Sequence, residues 1–204
     1  MNLLPATLKR PFPMRRNIFI CLFLAGITLA VYWPAGNYDR VLYDDPFFIA
    51  NDEVLSVLNG HSLVWTMIGV VVGNWHPVTS LSFVLGHQFW GINPGAEHLV
   101  NVVIHALNAL LLFLVLNRMT RSPWRSAVVA ALFAWHPLRV ESVAWIAERK
   151  DVLSVFFFFL TLLAWARYVE KSEVQSPKSK TRTPASGFRP PVITGWRWCS
   201  LRWD

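Results

Sequence analysis

Six formally charged side chains lie in one short stretch, HPLRVESVAWIAERKD at residues 136–151, between two strongly apolar segments. They are Arg139, Glu141, Glu148, Arg149, Lys150 and Asp151. Because each ionised group is costly beside hydrocarbon, this density predicts a site at the membrane surface for a charged ligand. Basic side chains next to a helix start favour a phosphate-bearing lipid headgroup. The alternative is an exposed connector with internal salt bridges, which would contribute little stability.

Adjacent carboxylates occur in a second motif, Tyr43-Asp44-Asp45-Pro46. Asp44 or Asp45 could act as a general base, bind a divalent cation, or cap the following segment. An Asp-Pro turn with a solvated neighbour explains the same pattern without chemistry.

A third motif is Asn74-Trp75-His76-Pro77. His76 could hydrogen-bond a phosphate or a sugar hydroxyl while Trp75 stacks on a sugar face. The pattern is equally typical of an interfacial helix start, with proline in the first turn and tryptophan as the anchor.

The elements that must position these residues are membrane helices. The chain has 204 residues, of which 54% are apolar, and eleven tryptophans, a composition typical of a membrane protein. A bilayer core of about 30 Å needs roughly 20 apolar residues per helix. Four stretches fit or nearly fit, at about 17–35, 98–117, 126–138 and 152–169. The third is short enough to be tilted, broken or re-entrant.

The net charge is +7, and the charged residues are distributed as this topology predicts. Basic residues precede the first span, fill the turn between the second and third, and continue after the fourth. The opposite side carries nine of the twelve acids: Asp39, Asp44, Asp45, Asp52, Glu53, Glu97, Glu141, Glu148 and Asp151. Positive-inside logic therefore places both termini in the cytoplasm, and the basic excess does not indicate nucleic-acid binding.

We therefore expect three regions in the sequence. They are a basic leader at 1–16, a membrane domain at 17–170 with external loops at 36–97 and 136–151, and a basic, disordered tail at 171–204. The first loop is too long for a simple connector, and we expect helices near 62–72 and 78–90 within it. In the second span four polar residues recur at helical spacing and must face protein or water: His98, Asn101, His105 and Asn108. We expect both histidines to be packing residues.

The motifs, in this order, resemble a known family. They are YDDPFFIANDEVL, then NWHPVTSLSFVLGHQFWGINPGAEHLVNVVIHALNALLLFLVLNRMT, then WRSAVVAALFAWHPLRVESVAWIAERKDVLSVFFFFLTLLAWARYVE. Over about residues 15–170 the chain is similar to the amino-terminal membrane part of tetratricopeptide-repeat membrane glycosyltransferase-like proteins, whose animal relatives are the transmembrane and tetratricopeptide repeat O-mannosyltransferases.

The resemblance implies a multi-pass, GT-C-type enzyme of the bacterial inner membrane that transfers a sugar, mannose in the animal relatives, from a polyprenyl-phosphate carrier to protein hydroxyls. Asp44 and Asp45 match the acidic motif of the first external loop, where one would be the general base. His76 falls in the WHP motif, and six residues fall in the HP-x-x-VESVAW-x-x-ERKD motif: His136, Arg139, Glu141, Arg149, Lys150 and Asp151. Their role in binding donor phosphate is an inference from charge, and metal dependence stays open.

One departure from the family pattern bears on activity. From about Ser176 the sequence loses the resemblance and ends in TGWRWCSLRWD, where further membrane helices and repeats would be expected. We hypothesise a frameshift or premature stop, leaving a truncated membrane domain that is inactive alone. The rival interpretation is a non-catalytic membrane interaction or assembly module.

Overall fold

The computed structural model describes residues 14–49, 59–71 and 73–175. Within these ranges the chain is helical and has no β-strand. The α-helices are α1 (Met14–Tyr32), α2 (Asp45–Ile49), α3 (Gly60–Ile68), α4 (Pro77–Trp90), α5 (Pro94–Thr120), α6 (Pro123–Trp135), α7 (Arg139–Ala144) and α8 (Arg149–Gln175). Short 3-10 turns cover Trp33–Asn37 and Ile146–Glu148.

Helix α5 is the centre of a bundle, packing against α1, α6 and α8. At one end of α5, Glu97 contacts Arg149 of α8; at the other end, Arg118 contacts Glu170 of α8. We call these the Glu97 end and the Arg118 end of the bundle. Because both contacts follow the same sequence direction, α5 and α8 run parallel, and the chain must return to the Glu97 end between them.

Three segments are long and apolar enough to cross a membrane: Arg15–Asn37, Pro94–Thr120 and Ile146–Ser172. They expose large apolar side chains such as Phe19, Leu22, Phe158 and Trp165, each more than half exposed. Apolar surface on this scale is typical of a lipid-facing helix bundle rather than of a water-soluble monomer. The protein is therefore an all-α membrane protein.

Helix α6 is shorter than the expected third span at 126–138. It has 13 residues, or about 20 Å of helix, against a bilayer core of about 30 Å. The expected end was wrong because Pro137 disfavours helical geometry at the preceding residue. His136 is accordingly extended, at φ −66° and ψ 131°, and α6 stops at Trp135.

The charged stretch after α6 is not one helix, so Glu141, Trp145 and Glu148 do not share a helical face. Trp145 has extended geometry, at φ −96° and ψ 125°, and separates α7 from the 3-10 turn that leads into α8. Helix α8 then begins at Arg149, three residues before the expected 152. The break lets Ala147 and Arg149 point into the protein.

The other membrane helices also differ in extent from expectation. Pro94 occupies the first turn of α5, and the Asn93 side chain accepts a hydrogen bond from the Ala96 N–H at 3.2 Å. This cap starts α5 four residues before the expected 98, and α5 continues to Thr120 instead of 117. Helix α1 spans Met14–Tyr32 instead of 17–35, since Pro34 starts a 3-10 turn. Helix α8 continues to Gln175; the rest of the expected tail lies outside the described residues.

Helices α2, α3 and α4 cover the Glu97 end of the bundle. Helices α3 and α4 correspond to the two expected in the first loop. Phe83 and Val84 of α4, with Val71 after α3, form an apolar cluster with Ile146 and Ala147 of the charged stretch. Helix α2 meets the same stretch through the hydrogen bond from the Ala147 N–H to Asp45 Oδ1.

One glycine makes a close helix crossing possible. A Cβ on Gly95, at the start of α5, would lie 2.2 Å from the carbonyl oxygen of Gly36. No side chain fits there, so the turn after α1 packs directly against the first turn of α5. This contact brings residues 38–45 towards the charged stretch.

The polar side chains of α5 face the protein, as expected. His98, Asn101, His105 and Asn108 are each at most 1% exposed. His98 Nε2 lies 3.3 Å from the Asp39 carbonyl oxygen, and His105 Nε2 lies 3.0 Å from that of Ala134. Both histidines therefore act as packing residues that satisfy backbone carbonyls.

Candidate functional site

Arg149, one of the six charged residues of the 136–151 stretch, is fully buried. Its Nη2 donates to Glu97 Oε2 at 2.5 Å and to the Glu97 carbonyl at 2.8 Å, and its Nε donates to Asn101 Oδ1 at 2.8 Å. The guanidinium lies over the Phe83 ring, 4.0 Å from its centroid. A buried arginine needs such paired partners, because an unpaired charge would be strongly destabilising. Arg149 thus ties α8 to α4 and α5.

The partner of Arg149 is itself positioned by α4. Glu97 Oε1 accepts a hydrogen bond from Trp90 Nε1 at 2.9 Å, and the Glu97 side chain is fully buried. Helix α4 approaches so closely that a Cβ on Gly86 would lie 2.8 Å from Glu97 Oε1. Only glycine at position 86 leaves room for the carboxylate, so α4 acts as a lid over the ion pair.

Asp45 is also buried, and both of its oxygens are occupied. Oδ2 accepts from the Val41 N–H at 2.8 Å, and Oδ1 accepts from the Ala147 N–H at 2.9 Å. The second bond joins residues 102 positions apart in sequence. Asp45 therefore fastens the YDDP motif to the charged stretch, while the Tyr43 ring packs near Trp145 with centroids 6.4 Å apart.

Asp44 is half-buried, and its carboxylate accepts no hydrogen bond from any other described residue. It sits directly beside the anchored Asp45, so its backbone position is fixed while its side chain stays available. Of the two adjacent carboxylates, Asp44 is the one that can accept a proton from an incoming group.

Arg139 and Asp151 line a cavity of about 240 Å³ between α5, α6, α7 and α8. We call this the polar cavity; its other polar side chains are His105, Asn108, Ser142 and Ser154. The Arg139 guanidinium also lies over the Phe133 ring, 4.5 Å from the centroid. The cavity combines one cation, one carboxylate and several neutral polar groups, which suits a small, polar, partly charged ligand.

The remaining predicted site residues lie elsewhere. Lys150 Nζ pairs with Glu148 Oε1 at 2.7 Å. This pair is an internal salt bridge of the kind expected if the stretch were an exposed connector. Glu141 and His136 are exposed, and His136 Nδ1 lies 3.3 Å from the Leu138 N–H. His76 is half-buried before the first turn of α4.

The neighbouring Trp75 is fixed by the fold. Its Nε1 donates to the Met67 carbonyl at 2.7 Å, so the WHP motif joins α3 to α4. This geometry matches the helix-start interpretation of the motif. Among the residues that the structure describes, no group of three or more His, Cys, Asp or Glu side chains could hold a metal ion.

Sequence reasoning missed Glu97, which it counted only as one of the external acids. The signal was present, because a carboxylate in the first turn of an apolar helix is costly unless it has a partner. It placed Asn108 on the inward face of the second span but not in the site. The Asn108 Nδ2 donates to the Val152 carbonyl at 2.8 Å, and its buried Oδ1 has no partner among the described residues.

Comparison with known proteins identifies relatives of this chain. Protein O-mannosyl-transferase Tmtc2 of Drosophila melanogaster is 33% identical over 168 residues, which is 78% of this chain and 18% of the relative. Human Protein O-mannosyl-transferase TMTC1 is 32% identical over 173 residues, 79% of this chain and 19% of the relative. Drosophila Tmtc1 is 36% identical over 101 residues, 50% of this chain and 12% of the relative.

The chain spans less than a fifth of the length of these relatives. No protein-family model matches it, and no solved structure matches it. The aligned shares of 78% and 79% of this chain are large enough that they must include the charged stretch at 136–151. The chain is thus TMTC-like, homologous over more than three quarters of its length to one part of the protein O-mannosyl-transferases.

Proposed function

We propose that this chain forms the catalytic membrane part of a GT-C-type glycosyltransferase. The reaction is transfer of a sugar, mannose by analogy with its relatives, from a polyprenyl-phosphate carrier to hydroxyl groups of a protein acceptor. The names of the relatives support O-mannosyl transfer to protein. The lipid-linked donor suits a site built among membrane helices.

The observation that carries the proposal is the hydrogen bond from the Ala147 N–H to Asp45 Oδ1. It joins the two motifs that the chemistry needs, a free carboxylate at Asp44 and a cationic stretch that includes Arg139 and Lys150. A base alone, or cations alone, would support only binding. Because the hydrogen bond holds the base and the cationic stretch next to each other, the arrangement supports a displacement reaction.

In the proposed mechanism Asp44 accepts the proton of the acceptor hydroxyl as its oxygen attacks the anomeric carbon of the sugar. The bond between that carbon and the phosphate oxygen breaks, and the carrier phosphate leaves with the electron pair. Arg139, which has no salt bridge to a carboxylate among the described residues, stabilises the charge that develops on the leaving phosphate. Attack opposite the leaving group inverts the anomeric configuration. Arg149 and Asp45 position these groups without touching substrate.

The proposal includes four crossings, with the Glu97 end external and both termini in the cytoplasm of a bacterial inner membrane. The parallel course of α5 and α8 supports the extra crossing, because the chain must return to the Glu97 end between them. Helix α6 begins that return, and residues 136–148 complete it. Basic residues at the Arg118 end, including Arg121 and Arg125, support a cytoplasmic position for that end.

The function is tested with a chimera in which residues 15–170 replace the aligned part of Drosophila Tmtc2. Transfer of radiolabelled mannose from polyprenyl-phosphate mannose to an acceptor protein is measured in membranes. We expect transfer by the chimera and its loss on Asp44→Asn, since the amide cannot accept the proton. The matched control is Asp39→Asn, another first-loop carboxylate, which is expected to retain transfer.

Two results would contradict the proposal. Undiminished transfer by the Asp44→Asn chimera would show that Asp44 is not the general base. A chimera that folds and binds acceptor but transfers no sugar would instead favour the non-catalytic assembly module.

A further inference from the structure

A cavity of about 170 Å³ lies at the Arg118 end of the bundle, away from the residues of the proposed reaction. We call it the Arg118-end cavity. It is enclosed where α1, α5 and α8 meet. Its lining residues are Asn17 of α1, Leu114, Asn117 and Arg118 of α5, and Leu163 and Arg167 of α8.

The lining of this cavity changes from apolar to basic along the helix axes. Leu114 and Leu163 come one helical turn before Arg118 and Arg167, in two helices that both run towards this end. The leucines therefore face the centre of the bilayer, and the arginines face its edge. Because Leu114 is 38% exposed, the apolar side of the cavity is open to lipid. A phospholipid has the same order of polarity.

Aromatic residues place the cavity at the boundary between membrane and water. Trp165 and Tyr168 lie on either side of Arg167 in the sequence of α8, and both are exposed, with ring centroids 6.1 Å apart. Exposed tryptophan and tyrosine concentrate at the level of the lipid headgroups. Arg167 also lies about 27 Å along α8 from Arg149, close to the thickness of a bilayer core. The cavity is thus at headgroup depth.

The cavity has one net positive charge available to a ligand. Arg167 is exposed and makes no salt bridge within the described part of the chain. Arg118 donates from Nε and Nη2 to Glu170 at 2.7–3.1 Å, which leaves its Nη1 donors without a carboxylate partner. Two arginines and one glutamate therefore balance the single charge of a phosphodiester, and guanidinium groups bind phosphate oxygens strongly.

Two asparagine side chains in the cavity have no protein partner. Asn117 is 4% exposed, and its amide forms no hydrogen bond to another described residue. The buried Oδ1 of Asn17 likewise has no partner among them. An unpaired amide is costly inside a membrane protein, and each amide carries two N–H donors. A ligand with several acceptor oxygens would satisfy both amides.

We propose that the Arg118-end cavity binds the phosphate of an acidic glycerophospholipid with a phosphodiester headgroup, of the phosphatidylglycerol type. Arg167 and Arg118 Nη1 contact the phosphate, and the amides of Asn17 and Asn117 donate to its oxygens. The acyl chains run past Leu114 towards the bilayer centre. The bound lipid joins α1, α5 and α8 at this end of the bundle. The site depends neither on the proposed reaction nor on which side of the membrane this end faces.

The structure favours this occupant over two others that share its phosphate. A soluble phosphate ester would leave the apolar side of the cavity, at Leu114 and Leu163, without a partner. Phosphatidylcholine would bring a quaternary ammonium towards Arg167, where like charges repel. An acidic phospholipid has neither disadvantage, and basic pockets between membrane helices are suited to such headgroups.

The test uses the full chain purified in a neutral maltoside detergent. Dissociation constants are measured by native mass spectrometry for dioleoyl phosphatidylglycerol, dioleoyl phosphatidylcholine and glycerol 3-phosphate. We expect phosphatidylglycerol to bind at least about tenfold more tightly than the other two, and Arg167→Gln to weaken it at least about tenfold. Arg125→Gln is the matched control, because Arg125 is also exposed at this end, has no salt bridge to a described residue and does not line the cavity. It should change the affinity by less than about twofold.

A second measurement locates the lipid. Phosphatidylglycerol with a photoreactive diazirine on its headgroup should crosslink to α1 near Asn17 and to α8 near Arg167, and these crosslinks should decrease in Arg167→Gln. Circular dichroism and elution volume check that both variants are folded.

Four outcomes would overturn the proposal. Equal losses in Arg167→Gln and Arg125→Gln would show attraction to the basic surface as a whole. Equal affinity for phosphatidylglycerol and phosphatidylcholine would show that charge does not select the lipid. Equal affinity for glycerol 3-phosphate would make the cavity a site for soluble phosphate. Crosslinks confined to other segments would contradict the location. The chimera assay of mannose transfer is decided separately from all four.

Discussion

Arg149 Nη2 and Glu97 Oε2 lie 2.5 Å apart with both side chains completely excluded from solvent, where α8 meets α5. A second pair with the charges exchanged, Arg118 of α5 and Glu170 of α8, lies at the opposite end at 2.7 Å, and both pairs have the same sequence separation of 52 residues. Along each helix the two pairs are about 31 Å apart, which matches the thickness of a bilayer core. The exchanged charges fix the parallel register of α5 and α8.

The two pairs should differ sharply in their energetic importance. Arg149→Gln leaves Glu97 buried without its cation, and we expect the free energy of unfolding to fall by about 3–5 kcal/mol. Arg118→Gln is the matched control, with an expected loss of at most about 1 kcal/mol, because Arg118 and Glu170 are partly exposed at 34% and 42%. Unfolding of both variants in mixed detergent micelles measures the difference. Equal losses would show that burial does not decide the strength of the pair.

Gly86 should also contribute to stability, because it leaves room for the Glu97 carboxylate of the ion pair. In Gly86→Ala the new Cβ would meet Glu97 Oε1 at 2.8 Å and the Trp90 ring at 2.9 Å. We expect a loss of about 1–3 kcal/mol from this overpacking, detectable as a lower melting temperature. Gly26→Ala in α1 has no atom within 4 Å of the added Cβ and should instead gain roughly 0.5–1 kcal/mol from better helix propensity. A stabilising Gly86→Ala would contradict the close approach of α4.

The adjacent aspartates should separate structure from chemistry. Asp45→Asn has one carbonyl oxygen for two backbone N–H groups, so one buried donor loses its partner at a cost of about 1–3 kcal/mol. Hydrogen exchange should accelerate at the Ala147 or Val41 amide. Asp44→Asn should change stability by no more than about 0.5 kcal/mol. Unchanged exchange at both amides in Asp45→Asn would show that Asp45 does not hold the motif in place.

Four crossings predict opposite accessibility for two exposed positions. In a background with Cys21→Ala and Cys199→Ala, Glu141→Cys should react with an impermeant maleimide applied to intact spheroplasts. Arg121→Cys should react only after lysis, because the turn between α5 and α6 lies on the other side. Labelling of both positions from one side would show that α6 and residues 136–148 do not complete a crossing.

Much of the architecture could be predicted from the sequence alone. Apolar runs of the length of a bilayer core predicted the three long helices, and the spacing of His98, Asn101, His105 and Asn108 predicted a polar face turned into the protein. These features depend on local composition and helical periodicity, which a sequence carries directly. The relatives support the family interpretation of the motifs between residues 15 and 170.

The pairing of the charges was decided only by the tertiary structure. Nothing in the spacing of YDDP and ERKD indicates that Asp45 binds the Ala147 amide, since 102 residues separate them. The sequence does not distinguish the cations Arg149, Arg139 and Lys150. In the fold Arg149 is buried, Arg139 lies beside a cavity, and Lys150 is paired with Glu148. The sequence by itself determined which segments enter the membrane, because hydrophobicity is a local property. The fold decided which charges remain available, because partners and burial arise only when distant segments pack together.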